Sequence, residues 1–270
     1  MKALLLAAAL TLCAAAAQAA DWRPLDPENG LVIDTSKGRI IVELVPEVAP
    51  AHVARIKELA RAGFYDGQLF HRVIGDFMAQ TGDPTATGEG GSQLPDLKQE
   101  FLFKRSGSTP ITVVARTGAF EVGYIKSLPV LTQSEDLMVM KADGAVDGFG
   151  LFCPGVAGMA RAGSPDSANS QFFFMRQVNS NLDTKYTPWG KVVSGLEVVR
   201  SLQVGEPPAA PDKMTKVQVL ADIPAAQRPS VELLDPKGAA FKALIKKNDV
   251  ANSFDHAICG FELPVKVTGG

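Results

Sequence analysis

The chain is poor in the residues that build metal and redox centres. Its 270 residues include three cysteines and three histidines (His52, His71 and His256), with no CxxC pair, which argues against zinc. Charge is nearly balanced at a formal −2, so no strong field marks a binder of nucleic acid or acidic lipid. Beyond residue 20 no apolar run reaches the ~20 residues that span a bilayer. The glycine-rich GEGGS at 88–92 has no Gly-Lys-Ser/Thr behind it and is not a phosphate loop. DGAVDG at 143–148 lacks the spaced ligands and closing glutamate of a calcium loop. Ser164, Ser167 and Ser170 sit in a loop-like stretch with no histidine placed as a base, which argues against nucleophilic hydrolysis. No internal repeat is present.

What remains is ordinary globular material, 46% hydrophobic and 21% charged, long enough for one large core or a core with an appendage. Residues 1–20 differ from the rest. Lys2 gives a short positive start, Ala3–Ala16 an apolar run, and Ala17-Gln18-Ala19 the small-x-small pattern of a cleavage site. A secretory signal peptide is expected, removed after Ala19 or Ala20, leaving a soluble periplasmic or secreted chain. The apolar run falls short of a membrane anchor, and Leu12 is bulky where a lipoprotein signal wants a small residue. Cys13 leaves with the leader. Cys153 and Cys259 then remain in an oxidising compartment, as a disulfide or as two buried free thiols.

GLVIDTSKGRIIVELVP (30–46) is the clearest hairpin signal, two β-rich runs around Thr-Ser-Lys-Gly. APAHVARIKELARAG (49–63) follows as an amphipathic helix, with Val53, Ile56, Leu59 and Ala60 on one stripe and Gly63 as a stop. FYDGQLFHRVIGDFMAQTGD reads as two strand pieces broken at Gly75-Asp76. VAGMARAG and SQFFFMRQV read as buried strands, GKVVSGLEVVRSLQ as a strand, a turn and a second helix, and KVQVLAD (216–222) as a late strand. Many short strands with two helices point to a mainly β barrel or sandwich. Residues 101–150 hold aliphatic runs without clean periodicity. Residues 223–270 hold an extended SVELLD, a helix AAFKALIKKND and a strand-like GFELPVKV.

Arg72 poses a question. It stands among Phe70, Val73, Ile74, Phe77 and Met78 with no evident carboxylate partner in the sequence around it, although a guanidinium is costly to desolvate unpaired. Strand parity puts Gln171 and Phe173 on one face and Phe172 and Phe174 on the other, and puts Met78 and Gln80 together. A bulge at Gly75-Asp76 brings Phe77 to the side of Arg72. The product is either a shallow site of one arginine, two glutamines and apolar groups, or polar side chains that merely face solvent. His71 has the opposite parity and reads as a satisfied buried histidine.

FHRVIGDFMAQTGD, GEGGS, GMARAG, SQFFF and LDTKYTPWGKVVSGLEVV, in this order and approximate spacing, resemble the cyclophilins, the peptidyl-prolyl cis–trans isomerase family. The matching blocks cover residues 64–92 and 154–200, and the hairpin and first helix fit the family's start. The resemblance implies a mainly β fold: an eight-stranded antiparallel barrel closed by two helices over residues 21–222. An insertion at about 101–150 and a C-terminal extension at 223–270 are added to it. It makes Arg72 the catalytic residue and Phe77, Met78, Phe173 and Leu182 the pocket for the substrate proline. Gln80 and Gln171 become the polar groups alongside, and Ala160, Arg161 and Ala162 the strip that pairs with substrate backbone. Tyr186 stands where the family has a pocket histidine, Asn181 where its familiar eukaryotic members have a tryptophan, and Arg161 where an asparagine is usual. Weak cyclosporin affinity is therefore expected. The implied activity is isomerisation of X–Pro bonds in exported polypeptide clients, by a monomer, with no cofactor, metal, nucleic acid or membrane span. The competing reading is a proline-peptide binding module or chaperone on the same fold; an intact Arg72, Phe77, Gln80 and Phe173 favours catalysis.

Overall fold

A computed structural model describes residues 21–248 and 255–269; residues 1–20, where a signal peptide is expected, lie outside the described residues. Strand β1 (Trp22–Pro24) is followed by the hairpin β2 (Gly30–Thr35) and β3 (Gly38–Leu44), helix α1 (Pro50–Arg61), β4 (Arg72–Val73) and β5 (Met78–Thr81). Five strands come next: β6 (Phe103–Arg105), β7 (Ile111–Thr117), β8 (Phe120–Ile125), β9 (Leu128–Gln133) and β10 (Val146–Gly150). The chain continues with β11 (Val156–Met159), β12 (Phe172–Met175), β13 (Pro188–Ser194), α2 (Leu196–Ser201) and β14 (Met214–Val219). It closes with β15 (Ser230–Leu234), α3 (Ala239–Lys247) and β16 (Val265–Thr268). Among the described residues no helix is long and apolar enough to cross a membrane.

The eight-stranded sheet runs β14-β2-β3-β13-β11-β12-β5-β4, and every pairing in it is antiparallel. It curls until its edges meet. Met214 donates its N–H to the Gln68 carbonyl at 2.9 Å, Phe70 to Asp212 at 2.8 Å, and Val73 to Gly205 at 2.8 Å, which satisfies edge groups that would otherwise be open. The first hairpin forms as its pattern predicts, with Leu31, Ile33, Ile40 and Val42 facing one core. α1 buries Val53, Ile56, Leu59 and Ala60 against that core, and α2 adds Leu196 and Val199. Trp189 lies at its centre with Phe172 and Phe174 at 5.4 and 6.4 Å. Burying side chains of this size contributes roughly 1.5–3 kcal/mol each, so apolar packing holds the barrel. α1 has no side-chain cap at Ala49. Glu100 supplies it, accepting from the Ala51 and His52 N–H groups at 3.1 Å each and pairing with His52 Nδ1 at 2.7 Å.

Residues 103–150 form their own antiparallel sheet, ordered β6-β10-β9-β8-β7. The weak periodicity of this stretch has a physical cause. Consecutive residues 121–125 and 128–132 are buried, so both faces are covered and strict alternation disappears. Inside it Arg105 pairs with Glu121 and donates to Thr132 Oγ1 at 2.8 Å. A third sheet, β1-β15-β16, joins the start of the described chain to the extension. Glu43, fully buried on β3, ties all three sheets together. It accepts both arms of Arg23 at 2.6 and 2.8 Å and the N–H of Ser127 at 3.0 Å. Of the two cysteine alternatives the structure has the disulfide: Cys153 and Cys259 are bonded, with Cα atoms 4.9 Å apart.

Candidate active site

Register builds the site. Val73 and Gly205 exchange both main-chain hydrogen bonds, which sets residue 206 opposite residue 72. Arg72 pairs with Gln80 across β4 and β5, Gln80 with Phe173 across β5 and β12, and Phe173 with Gly158 across β12 and β11. Position-by-position pairing keeps side chains on one face, so Glu206, Arg72, Gln80 and Phe173 form a row. Gly158 ends it for steric reasons. A Cβ there would come within 2.6 Å of ring atoms of both Phe152 and Phe173.

Arg72, Gln80 and Phe173 of this row line a cavity of about 130 Å³. Met78 and Phe173 form buried wall, and Leu182 comes from a short 3-10 helix capped by Asn179. Phe77 enters through the tight turn between β4 and β5, in which its N–H bonds the Ile74 carbonyl at 3.2 Å. Tyr186 meets Phe173 edge to face at 5.9 Å, and Ala160 and Arg161 complete the lining. Nine of the residues expected from the sequence thus share one pocket. Gln171 and Ala162 line an adjoining groove of about 550 Å³, which shares Gln80, Ala160 and Arg161 with the pocket. Phe172 and Phe174 point the other way into the core, as parity predicts.

The polar groups form a chain. Arg72 Nη1 donates to Gln80 Oε1 at 3.4 Å, and Gln80 Nε2 to Gln171 Oε1 at 2.8 Å. Gln171 Nε2 then donates to the carbonyls of Gly88 and Gly90 at 2.9 and 2.8 Å. That loop hangs on Asp83. Its carboxylate accepts from the N–H groups of Thr85, Thr87, Gly88 and Gly90 at 2.6–3.1 Å and from Thr85 Oγ1 at 2.7 Å. Burial works to raise this carboxyl, but the hydrogen bonds outweigh it and lower its pKa to about 2. Gly90 is obligatory, because a Cβ would lie 2.0 Å from Asp83 Oδ1.

Three features go beyond the sequence reading. Arg72 has a carboxylate partner after all: Glu206 Oε2, 2.6 Å from Nε and 134 residues further along the chain. Barrel closure makes that contact, and no local pattern announces it. Arg161 does not project a free charge into the groove. Its guanidinium lies over the rings of Tyr186 and Phe101 at 4.6 and 5.6 Å and donates to the carbonyls of Lys185 and Ala162 at 3.1 and 2.9 Å. His71 is buried as expected, yet neither ring nitrogen makes a well-formed hydrogen bond to the protein; burial, the main cause, lowers its pKa and keeps the ring neutral. Glu206, Asp83 and Phe152 were missed by sequence reasoning. Among the described residues no group of three or more His, Cys, Asp or Glu side chains is arranged to hold a metal ion.

A closed antiparallel barrel thus carries an apolar pocket with an arginine at its lip and a wider groove alongside. Comparison with known proteins narrows the class. The model of the family "Cyclophilin type peptidyl-prolyl cis-trans isomerase/CLD" matches residues 31–219. A Brucella suis protein described as a probable peptidyl-prolyl cis-trans isomerase is 35% identical over 213 residues, 73% of this chain and 85% of its own. Mouse peptidyl-prolyl cis-trans isomerase-like 1 is 31% identical over 206 residues, 76% of this chain and 95% of its own. The crystal structure of cyclophilin AquaCyp293 from Hirschia baltica superposes with a TM-score of 0.86 at 35% identity, over 94% of this chain and 97% of that one. The chain belongs to the cyclophilin family and is an enzyme of the peptidyl-prolyl cis–trans isomerase class.

Proposed function

We propose that this cyclophilin acts outside the cytoplasm, in the periplasm or after secretion, accelerating X–Pro isomerisation in exported polypeptides as they fold. Arg72 is its catalytic residue. The row Arg72–Gln80–Phe173 beside the 130 Å³ pocket is the observation that carries this assignment. Rotation about an X–Pro bond must break amide resonance, against a barrier of ~18–20 kcal/mol, and no bond is made or cut. A catalyst therefore needs to hold the ring and favour the twisted amide over the planar one. Phe77, Met78, Phe173, Leu182 and Tyr186 enclose the proline ring and exclude water from it. Ala160, Arg161 and Ala162 present main chain to the substrate backbone, with Gln80 and Gln171 beside them. Arg72 donates to the prolyl carbonyl through its rigid fork of N–H groups and supports the nitrogen as its lone pair localises.

The leader at 1–20 supports export, and the disulfide between Cys153 and Cys259 fits an oxidising compartment. Two measurements test the reading. NMR exchange on a short X–Pro peptide should show cis–trans interconversion driven by the mature chain, and a folded chain that drives none would refute it. Intact mass of chain recovered from the cell envelope or medium should correspond to a start at Ala20 or Asp21; full-length chain confined to the cytoplasm would refute export.

A further inference from the structure

We infer that Glu206 is a positioning residue for Arg72, an assignment that rests on Arg72 being catalytic. The closing seam of the barrel fixes where Glu206 stands. Val73 and Gly205 exchange main-chain hydrogen bonds at 2.8 and 2.9 Å, so residues 72 and 206 are direct cross-strand neighbours. The turn that follows is tight: a Cβ on Gly205 would lie 2.4 Å from Pro208 Cα. Arg72 is therefore held from both sides, by Glu206 Oε2 on Nε at 2.6 Å and by Gln80 Oε1 on Nη1 at 3.4 Å.

The choice of nitrogen matters. A guanidinium has five N–H groups in a rigid plane, and binding the inner one at Nε fixes that plane while leaving the outer edge for substrate. Arg72 lines the proline pocket, so fixing its plane fixes the direction of its outer N–H groups. The pair is half-exposed, with side chains 41% and 51% accessible, and exposed pairs of this kind contribute little to stability. Its effect falls on orientation. The carboxylate also exerts an opposing effect, since it draws down the positive charge that the twisted amide uses. Geometry and charge can be separated, because a glutamine at this position keeps an acceptor oxygen for Nε–H and loses the charge.

The experiment compares Glu206→Ala and Glu206→Gln with wild type, measuring kcat and KM on a short X–Pro peptide together with the thermal midpoint. Arg72→Ala is run in parallel. Glu206→Ala is expected to lose about tenfold in kcat, with KM within about twofold and the melting temperature unchanged. Glu206→Gln is expected to retain about half of wild-type kcat or more. Equal losses in Ala and Gln would show that an acceptor oxygen at this position does not orient Arg72 and overturn the assignment, as would wild-type or higher kcat in Glu206→Ala. Arg72→Ala with undiminished turnover would instead overturn the catalytic role of Arg72, a separate failure read from a separate variant.

Discussion

Phe152 stacks on Phe173 at 5.9 Å between ring centroids, with an interplanar angle of 27°. One ring is wall of the 130 Å³ pocket and the other precedes Cys153, so the disulfide to the C-terminal extension is anchored one residue from the support of that wall. Phe152 has its own restraints. Its N–H donates to Asp183 Oδ1 at 3.0 Å, and its carbonyl accepts from Asn179 at 3.1 Å.

Those restraints separate stability from activity. Cys259→Ser frees a loop whose ends are 106 residues apart and should cost about 2–5 kcal/mol. The pocket should keep its shape, with kcat/KM within about threefold of wild type. Thermal unfolding and peptide turnover, each with and without reductant, check both halves.

Asp83 holds the 83–90 loop on which Gln171 hangs. Asp83→Asn turns one acceptor oxygen into an amide facing N–H donors and should cost about 1–3 kcal/mol. Peptide affinity should fall with it, through Gln171. The acid limb follows from the same carboxyl. A depressed pKa gives stability that is fully present above the ordinary value of 3.8 and is lost as pH falls towards about 2. The stability gap between wild type and Asp83→Asn should therefore narrow between pH 4 and 2, measured by denaturant titration at each pH.

Arg161 acts as wall rather than free charge. Arg161→Ala removes the stack on Tyr186 and Phe101 and should raise KM about two- to fivefold, equivalent to ~0.5–1 kcal/mol, with kcat less affected. Changing the charge of the substrate residue before proline should alter this ratio little. Steady-state parameters on acidic and basic peptides decide it.

Local patterns carried a large part of this architecture. The β2–β3 hairpin, α1 and the opposed faces of Phe172–Phe174 follow from periods of two and 3.6 residues within single segments. The site pocket was legible through the blocks around Arg72, Gly158 and Phe173, which carry the family resemblance. Contacts made by closure were not legible. Glu206 reaches Arg72 over 134 residues and Glu100 caps α1 across 49 residues, in both cases because a sheet edge or a returning segment brings them there. The inserted sheet hid for another reason: burial on both faces erases the alternation that marks a strand.

The most direct measurement is turnover of an X–Pro peptide by Arg72→Ala beside wild type, with melting temperatures for both. The expected result is a loss of about 100-fold or more in kcat with the melting temperature within a few degrees, since the side chain is partly exposed and is assigned to the twisted state. Wild-type turnover in the variant, or a loss matched by unfolding, would contradict a catalytic arginine.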